Sequence, residues 1–258
     1  MATPVRYEVE DAIATVTIDA PETRNSLGPA VVAGLEDVLD TVSGARCLVV
    51  QGTGETFCAG GDVDGVVREA TGNLSADALL DRLAAIDELI QRLAAFPAPT
   101  IAAVDGPAFG TGGSLALACD LVVASTAGQI GFGFRRLGLA PAGGATYFLP
   151  EVVGESTAKE LLFTGALLDA EEADRYGLFD RVFAGDEFQR GLGQFVSRVV
   201  DGPAAIQAET KRLIDTDFER LTAAMVDERA AQRRLLGTRA HHECVQAFIA
   251  GEQRHTSE

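Results

Sequence analysis

Thr100–Ser114 reads TIAAVDGPAFGTGGS, an apolar run closed by Asp105 and followed at once by a turn rich in glycine, Gly106, Gly110, Gly112 and Gly113. The run predicts a buried parallel strand, Thr100–Asp105, and the turn predicts passage into a helix. Downstream, Leu121–Ala124 is another short apolar strand. Upstream, Leu79–Phe96 repeats apolar residues at helical spacing through Leu83, Ile86, Ile90 and Leu93 and stops at Pro97-Ala98-Pro99. Before it, Cys47–Gln51 is apolar up to its last residue and ends at Gly52-Thr53-Gly54, again as expected of a strand covered on both faces. The order strand, helix, strand, Gly-rich turn, helix, strand predicts an α/β fold with right-handed crossovers over a covered sheet.

The flanks extend this pattern. Val5–Glu10 and Ala12–Asp19 alternate with period two around Glu10-Asp11, predicting an antiparallel hairpin. Pro29–Thr41 carries Val31, Leu35, Val38 and Leu39 on one helical face. From Gly154 onward the pattern is helical except for a strand expected at Leu178–Phe183, so the C-terminal third is read as a layer packed on the core or on a neighbouring subunit.

With 258 residues, 47% of them hydrophobic, one substantial core is expected. Its apolar runs stop well short of the roughly 18 residues a bilayer span needs. The first residues have mixed charge and no apolar leader, so a cytoplasmic location is expected. A net charge of −17, with two lysines against nineteen arginines, argues against nucleic acid or an anionic membrane as partner. Cys47, Cys58, Cys119 and Cys244 are scattered with no CxxC and read as reduced thiols. His241, His242 and His255 all fall at the C-terminal end and are assigned to helix surface. No metal centre is expected.

Two loops carry the chemistry: Phe57-Cys58-Ala59-Gly60-Gly61-Asp62 and Gly106-Pro107-Ala108-Phe109-Gly110-Thr111-Gly112-Gly113-Ser114. Each follows a strand, exposes backbone N–H groups and uses small residues that admit a ligand close to the chain. Either alone is an ordinary tight turn. Together they are able to form an oxyanion hole. A nucleotide-binding reading is disfavoured, because Gly110–Ser114 is not GxGxxG in a first βα unit and GxxxxGK[ST] is absent.

On these motifs the sequence resembles the enoyl-CoA hydratase/isomerase (crotonase) superfamily. The likeness runs through Pro21–Leu27, Phe57–Asp62, Thr100–Asp120, Gly138–Ala145, Leu162–Gly165, Glu171–Ala173 and Gly177–Val182. It implies a crotonase-like spiral of ββα units over 1–190, with a helical C-terminal region over 191–258 serving trimerisation and site cover. It further implies a homotrimer or dimer of trimers, and an acyl-CoA thioester held by the N–H groups of Gly61 and Thr111. Coenzyme A would enter as part of the substrate, with no tightly bound cofactor. Its contacts would come from Arg24, a candidate phosphate ligand, and from Ser26, Ala59, Gly60, Asp62, Val63 and Asp64. The segment Ala247-Phe248-Ile249 would cover the CoA of an adjacent chain.

The departures bear on the reaction. Hydratases of the family place glutamates where this chain has Ser114 and, twenty residues on, Phe134. Gly106–Cys119 and Thr126–Pro150 contain no Asp or Glu at all. Syn hydration uses one carboxylate toward water and another toward the α-carbon. What remains is Thr111, Ser114, Thr146 and Tyr147, the walls Phe109, Phe132 and Phe134, the pair Arg135-Arg136, and Asp64 or Glu69 if their helix face turns inward. Ser114 and Tyr147 are the candidate catalytic side chains. The favoured reading is a family enzyme that stabilises a thioester enolate, as a lyase or isomerase in decarboxylation, hydrolysis or retro-aldol cleavage, with Arg135 orienting an acyl carboxylate. A catalytically silent acyl-CoA binder and a weak hydratase with another acid stay open beside it.

Overall fold

The computed structural model describes residues 3–214 and 217–251. In chain order the elements begin with β1 (Val5–Glu10), β2 (Ile13–Ile18), α1 (Pro29–Thr41), β3 (Cys47–Gly52), α2 (Val63–Ala70) and α3 (Ala76–Ala94). Next come β4 (Thr100–Val104), β5 (Pro107–Phe109), α4 (Thr111–Leu117), β6 (Leu121–Ser125), β7 (Gln129–Gly131), α5 (Ala145–Val153) and α6 (Glu155–Thr164). The remainder is β8 (Leu167–Leu168), α7 (Ala170–Arg175), β9 (Arg181–Phe183), α8 (Phe188–Val199), α9 (Ala204–Ile214), α10 (Phe218–Leu235) and α11 (Arg239–Ile249).

The main sheet has the order β1-β2-β3-β4-β6-β9, antiparallel at the β1–β2 hairpin and parallel elsewhere. Both faces of its central strands are covered, which is why their sequences are apolar without alternation. Leu48, Val50, Ala102 and Val104 point into the larger core with α1 and α3. Their neighbours Cys47, Val49, Ile101 and Ala103 point the other way, onto Phe188, Leu192, Phe195 and Val196 of α8. The expected boundary at residue 190 thus falls inside a helix that closes the sheet. Asp120 pins the start of β4 to that of β6, accepting from the Thr100 N–H at 2.7 Å, the Thr100 hydroxyl at 3.0 Å and the Lys211 ammonium at 2.8 Å.

A second sheet, β5-β7-β8, stands beside the first and leaves no periodicity in the sequence, its strands having three, three and two residues. Two expectations need correction. The strand expected over Leu178–Phe183 is confined to Arg181–Phe183, since Leu178 and Phe179 turn into the larger core instead. Helix α3 begins before Leu79, because the Ser75 hydroxyl accepts from the Ala78 N–H at 3.2 Å and caps it. No helix among the described residues is long and apolar enough to cross a membrane.

Candidate active site

The two Gly-rich loops meet as a short parallel pair. Cys58 N–H donates to the Pro107 carbonyl at 3.1 Å and Phe109 N–H to the Cys58 carbonyl at 2.9 Å. The Cys58–Ala108 register carries on to set Gly61 beside Thr111. Close approach fixes the residue types: a Cβ on Gly60, whose φ is +106°, would lie 2.5 Å from the Phe109 carbonyl oxygen, and one on Gly112 would lie 2.2 Å from that of Cys58. Neither the Gly61 N–H nor the Thr111 N–H donates to any acceptor among the described residues.

The first loop is anchored from behind by Asn25, fully buried at the end of an αL pair with Arg24. Its amide donates to the carbonyls of Thr53 at 2.9 Å and Thr56 at 2.7 Å, and its oxygen accepts from the Ala20 N–H at 3.0 Å. The Arg24 carbonyl accepts from Ala59 N–H at 3.0 Å and the Gly60 carbonyl from Leu27 N–H at 2.7 Å. Cys58 is no nucleophile, because burial pushes its thiol up to about 12.

A cavity of about 330 Å³ opens between the loops, α2, α3 and the Phe134–Leu137 turn. Of the residues named from sequence, Gly61, Thr111, Arg24, Ala59, Gly60, Asp62 and Val63 line it. The other four do not. The Ser114 hydroxyl is fully buried and donates to the Ala142 carbonyl at 3.0 Å, so it braces the wall from outside. Tyr147 lies on α5 facing a second cavity of about 620 Å³, with Phe148 edge-on to its ring and the Arg220 guanidinium 5.6 Å from its centre. Ser26 is half-buried in the turn before α1, its carbonyl accepting from Gly28 N–H, and Asp64 is exposed in the first turn of α2, where an acid suits the helix end.

Neighbouring expectations shift likewise. Phe109 and Phe134 are walls, whereas Phe132 is buried against Gly113 and does not line the cavity. Arg135 turns away to donate to the Thr164 carbonyl at 3.2 Å, and it is Arg136 that lines the cavity. Phe248 closes the cavity of its own chain. The surface role assigned to the histidines fails for His241, which is fully buried, with Nδ1 2.8 Å from the Leu137 carbonyl and Nε2 3.1 Å from Glu69. That contact also withdraws Glu69 from the cavity. His255 lies outside the described residues.

Sequence reading missed the carboxylates that build the wall. Glu228 of α10 accepts from the N–H groups of Gly144 and Thr146, each at 2.8 Å, and from the Thr146 hydroxyl at 2.7 Å. Gln232, one turn on, pairs with both backbone groups of Ala140. Asp87 of α3 is held by Arg229 and by the Gly143 N–H. Burial pushes the Asp87 carboxyl up to about 6 and raises that of Glu228, against the pull of these donors. The only acid lining the cavity among the described residues is Asp62, which caps α2 through Gly65 N–H at 2.9 Å and is bound by Arg82.

Comparison with known proteins agrees with this architecture. The sequence model of enoyl-CoA hydratase/isomerase matches residues 8–256. The 1,2-epoxyphenylacetyl-CoA isomerase of Escherichia coli is 32% identical over 94% of both chains. The enoyl-CoA isomerase/hydratase fer4 of Mycosarcoma maydis is 29% identical over 96% of this chain and 95% of that one. An enoyl-CoA hydratase structure from Mycobacterium avium subsp. paratuberculosis superposes with a TM-score of 0.86 at 29% identity, covering 99% of each chain. With the family match, the isomerase relative and the shared crotonase fold together, this chain belongs to the enoyl-CoA hydratase/isomerase family.

Proposed function

We propose that the chain binds an acyl-CoA thioester with its carbonyl oxygen between the N–H groups of Gly61 and Thr111 and stabilises the enolate formed there. The observation that carries this reading is the pair of adjacent backbone donors, without acceptors of their own, at the head of an apolar cavity. Two such donors contribute roughly 3–4 kcal/mol each to a developing oxyanion. Arg24, at the rim beside the first loop, suits a CoA phosphate.

Standard hydration does not suit this wall. With Ser114 and Phe134 where hydratases of the family keep glutamates, and Asp62 committed to Arg82, no pair of carboxylates is available as base and acid. Reactions that leave the charge on the thioester oxygen, namely decarboxylation, thioester hydrolysis or retro-aldol cleavage, ask less of side-chain acids. A catalytically silent acyl-CoA binder is the second reading, favoured by the phenyl ring of Phe134 in the wall. Titration with crotonyl-CoA, following the enoyl absorbance together with heat of binding, separates these readings. Binding without loss of absorbance is expected; rapid hydration would overturn the argument from the missing acids, and no binding of any thioester would overturn the site.

We further propose that the helices over 191–258 serve assembly into a homotrimer or dimer of trimers. Helix α9 has no buried residue and exposes Ile206, Leu213 and Ile214 at 62%, 66% and 73%, next to the second cavity. Light scattering is expected to give a mass of three or six chains, and Ile214→Glu to lower it. A monomeric wild type would remove the proposal.

A further inference from the structure

We infer that the acyl group accepted here carries a carboxylate, read by Arg136; the inference rests on the thioester reading above. The chain as a whole is strongly acidic, at −17, yet the cavity wall has the opposite balance, with Arg24, Arg82 and Arg136 against Asp62 alone. Arg82 and Asp62 neutralise one another. Arg24 and Arg136 have no acidic partner among the described residues, so the wall keeps two uncompensated cations. Arg24 stands by the first loop, where its carbonyl takes the Ala59 N–H. Arg136 stands by the second.

The Arg136 guanidinium is set rather than free. Its Cζ lies 5.1 Å from the centre of the Phe109 ring, and Nη2 donates to the Gly165 carbonyl at 3.2 Å. These two contacts restrain the guanidinium, while most of its five N–H donors stay unused. A planar fork held this way matches the two oxygens of a carboxylate, and loses little freedom on binding one. The surrounding wall, with Phe109, Phe134, Leu137 and Leu167, offers no negative charge to oppose it, and Arg136 itself is exposed, so it meets a ligand at the solvent side of the cavity.

A carboxylate paired with this guanidinium is a retained substituent. Pairing with a guanidinium stabilises the charged ground state, which would hinder loss of that same group as carbon dioxide. The reading therefore points away from decarboxylation at the carboxylate Arg136 holds, and toward hydrolysis or carbon–carbon cleavage elsewhere in a dicarboxylic acyl-CoA.

Calorimetry on the full chain tests this with size-matched pairs: malonyl-CoA against butyryl-CoA, and glutaryl-CoA against hexanoyl-CoA. At least one carboxylated thioester is expected to bind about 10-fold or more tightly than its neutral partner. Arg136→Gln is expected to erase that preference, weakening the carboxylated member of each pair about 10-fold more than the neutral one, and Arg136→Lys to keep part of it, as a point charge without the fork. Equal binding within both pairs by the wild type overturns the inference while leaving the thioester site standing. So does an Arg136→Gln variant that weakens both members of each pair and free CoA alike, because the guanidinium would then be meeting a phosphate. Failure of butyryl-CoA and every other thioester to bind takes down the site, and this inference with it.

Discussion

Gly112→Ala is expected to weaken acyl-CoA binding and any turnover by about 100-fold, with the far-ultraviolet circular dichroism spectrum retained. The added Cβ would lie 2.2 Å from the Cys58 carbonyl oxygen and 2.9 Å from its carbon, and both are backbone atoms with no rotamer to yield. Cys58 is tied at N–H to Pro107 and at its carbonyl to Phe109 N–H. Relief must come from sliding one loop past the other, by something on the order of 1 Å, and this displaces Gly61 relative to Thr111. Gly193→Ala is the control, since a Cβ there meets nothing within 4 Å. Binding by Gly112→Ala equal to that of the control would mean that the loops need not be in register, and would remove the basis for pairing their N–H groups.

Glu228→Ala is expected to lower Tm by roughly 10 °C. The carboxylate, only 4% exposed, is the acceptor for the two N–H groups of Gly144 and Thr146 and for the Thr146 hydroxyl. Its removal leaves buried donors unsatisfied at about 1–3 kcal/mol each, and a cavity besides; for a chain this long, 1 kcal/mol moves Tm by roughly 2–4 °C. A fall under about 3 °C would show that water or another side chain takes over those donors.

The same cluster gives stability a pH dependence. Asp87 binds its proton more tightly folded than unfolded, with its carboxyl raised from 3.8 to about 6. Its contribution is therefore fully present below the unfolded value and lost as pH rises through about 6, on the order of 2–3 kcal/mol between the limits. Relief of the −17 charge acts in the same direction, so the comparison is with Asp87→Asn. Wild-type Tm is expected to rise more than that of the variant between pH 7 and pH 5. Parallel curves would place the Asp87 titration outside that window.

Short-range pattern and backbone sterics are legible in the chain before it folds. The runs at Cys47–Gln51, Thr100–Asp105 and Leu121–Ala124 announce strands covered on both faces, and Pro29–Thr41 announces α1 from its apolar face alone. The glycines at 60, 61, 110 and 112 announce two loops that approach something closely, and the shortage of acids near the second loop is visible without coordinates. Which polar groups face the cavity is set by folding, because each is settled by a partner remote in the chain. Ser114 is drawn off by a carbonyl 28 residues away, the 143–146 turn is held by a glutamate more than 80 residues on, and Glu69 is matched to a histidine 172 residues distant. Arg135 and Arg136 are adjacent and chemically identical, yet one bonds to the Thr164 carbonyl and the other stacks on Phe109 in the cavity wall. Secondary structure leaves its period in the sequence, but the satisfaction of a buried hydrogen-bonding group depends on what folding brings beside it.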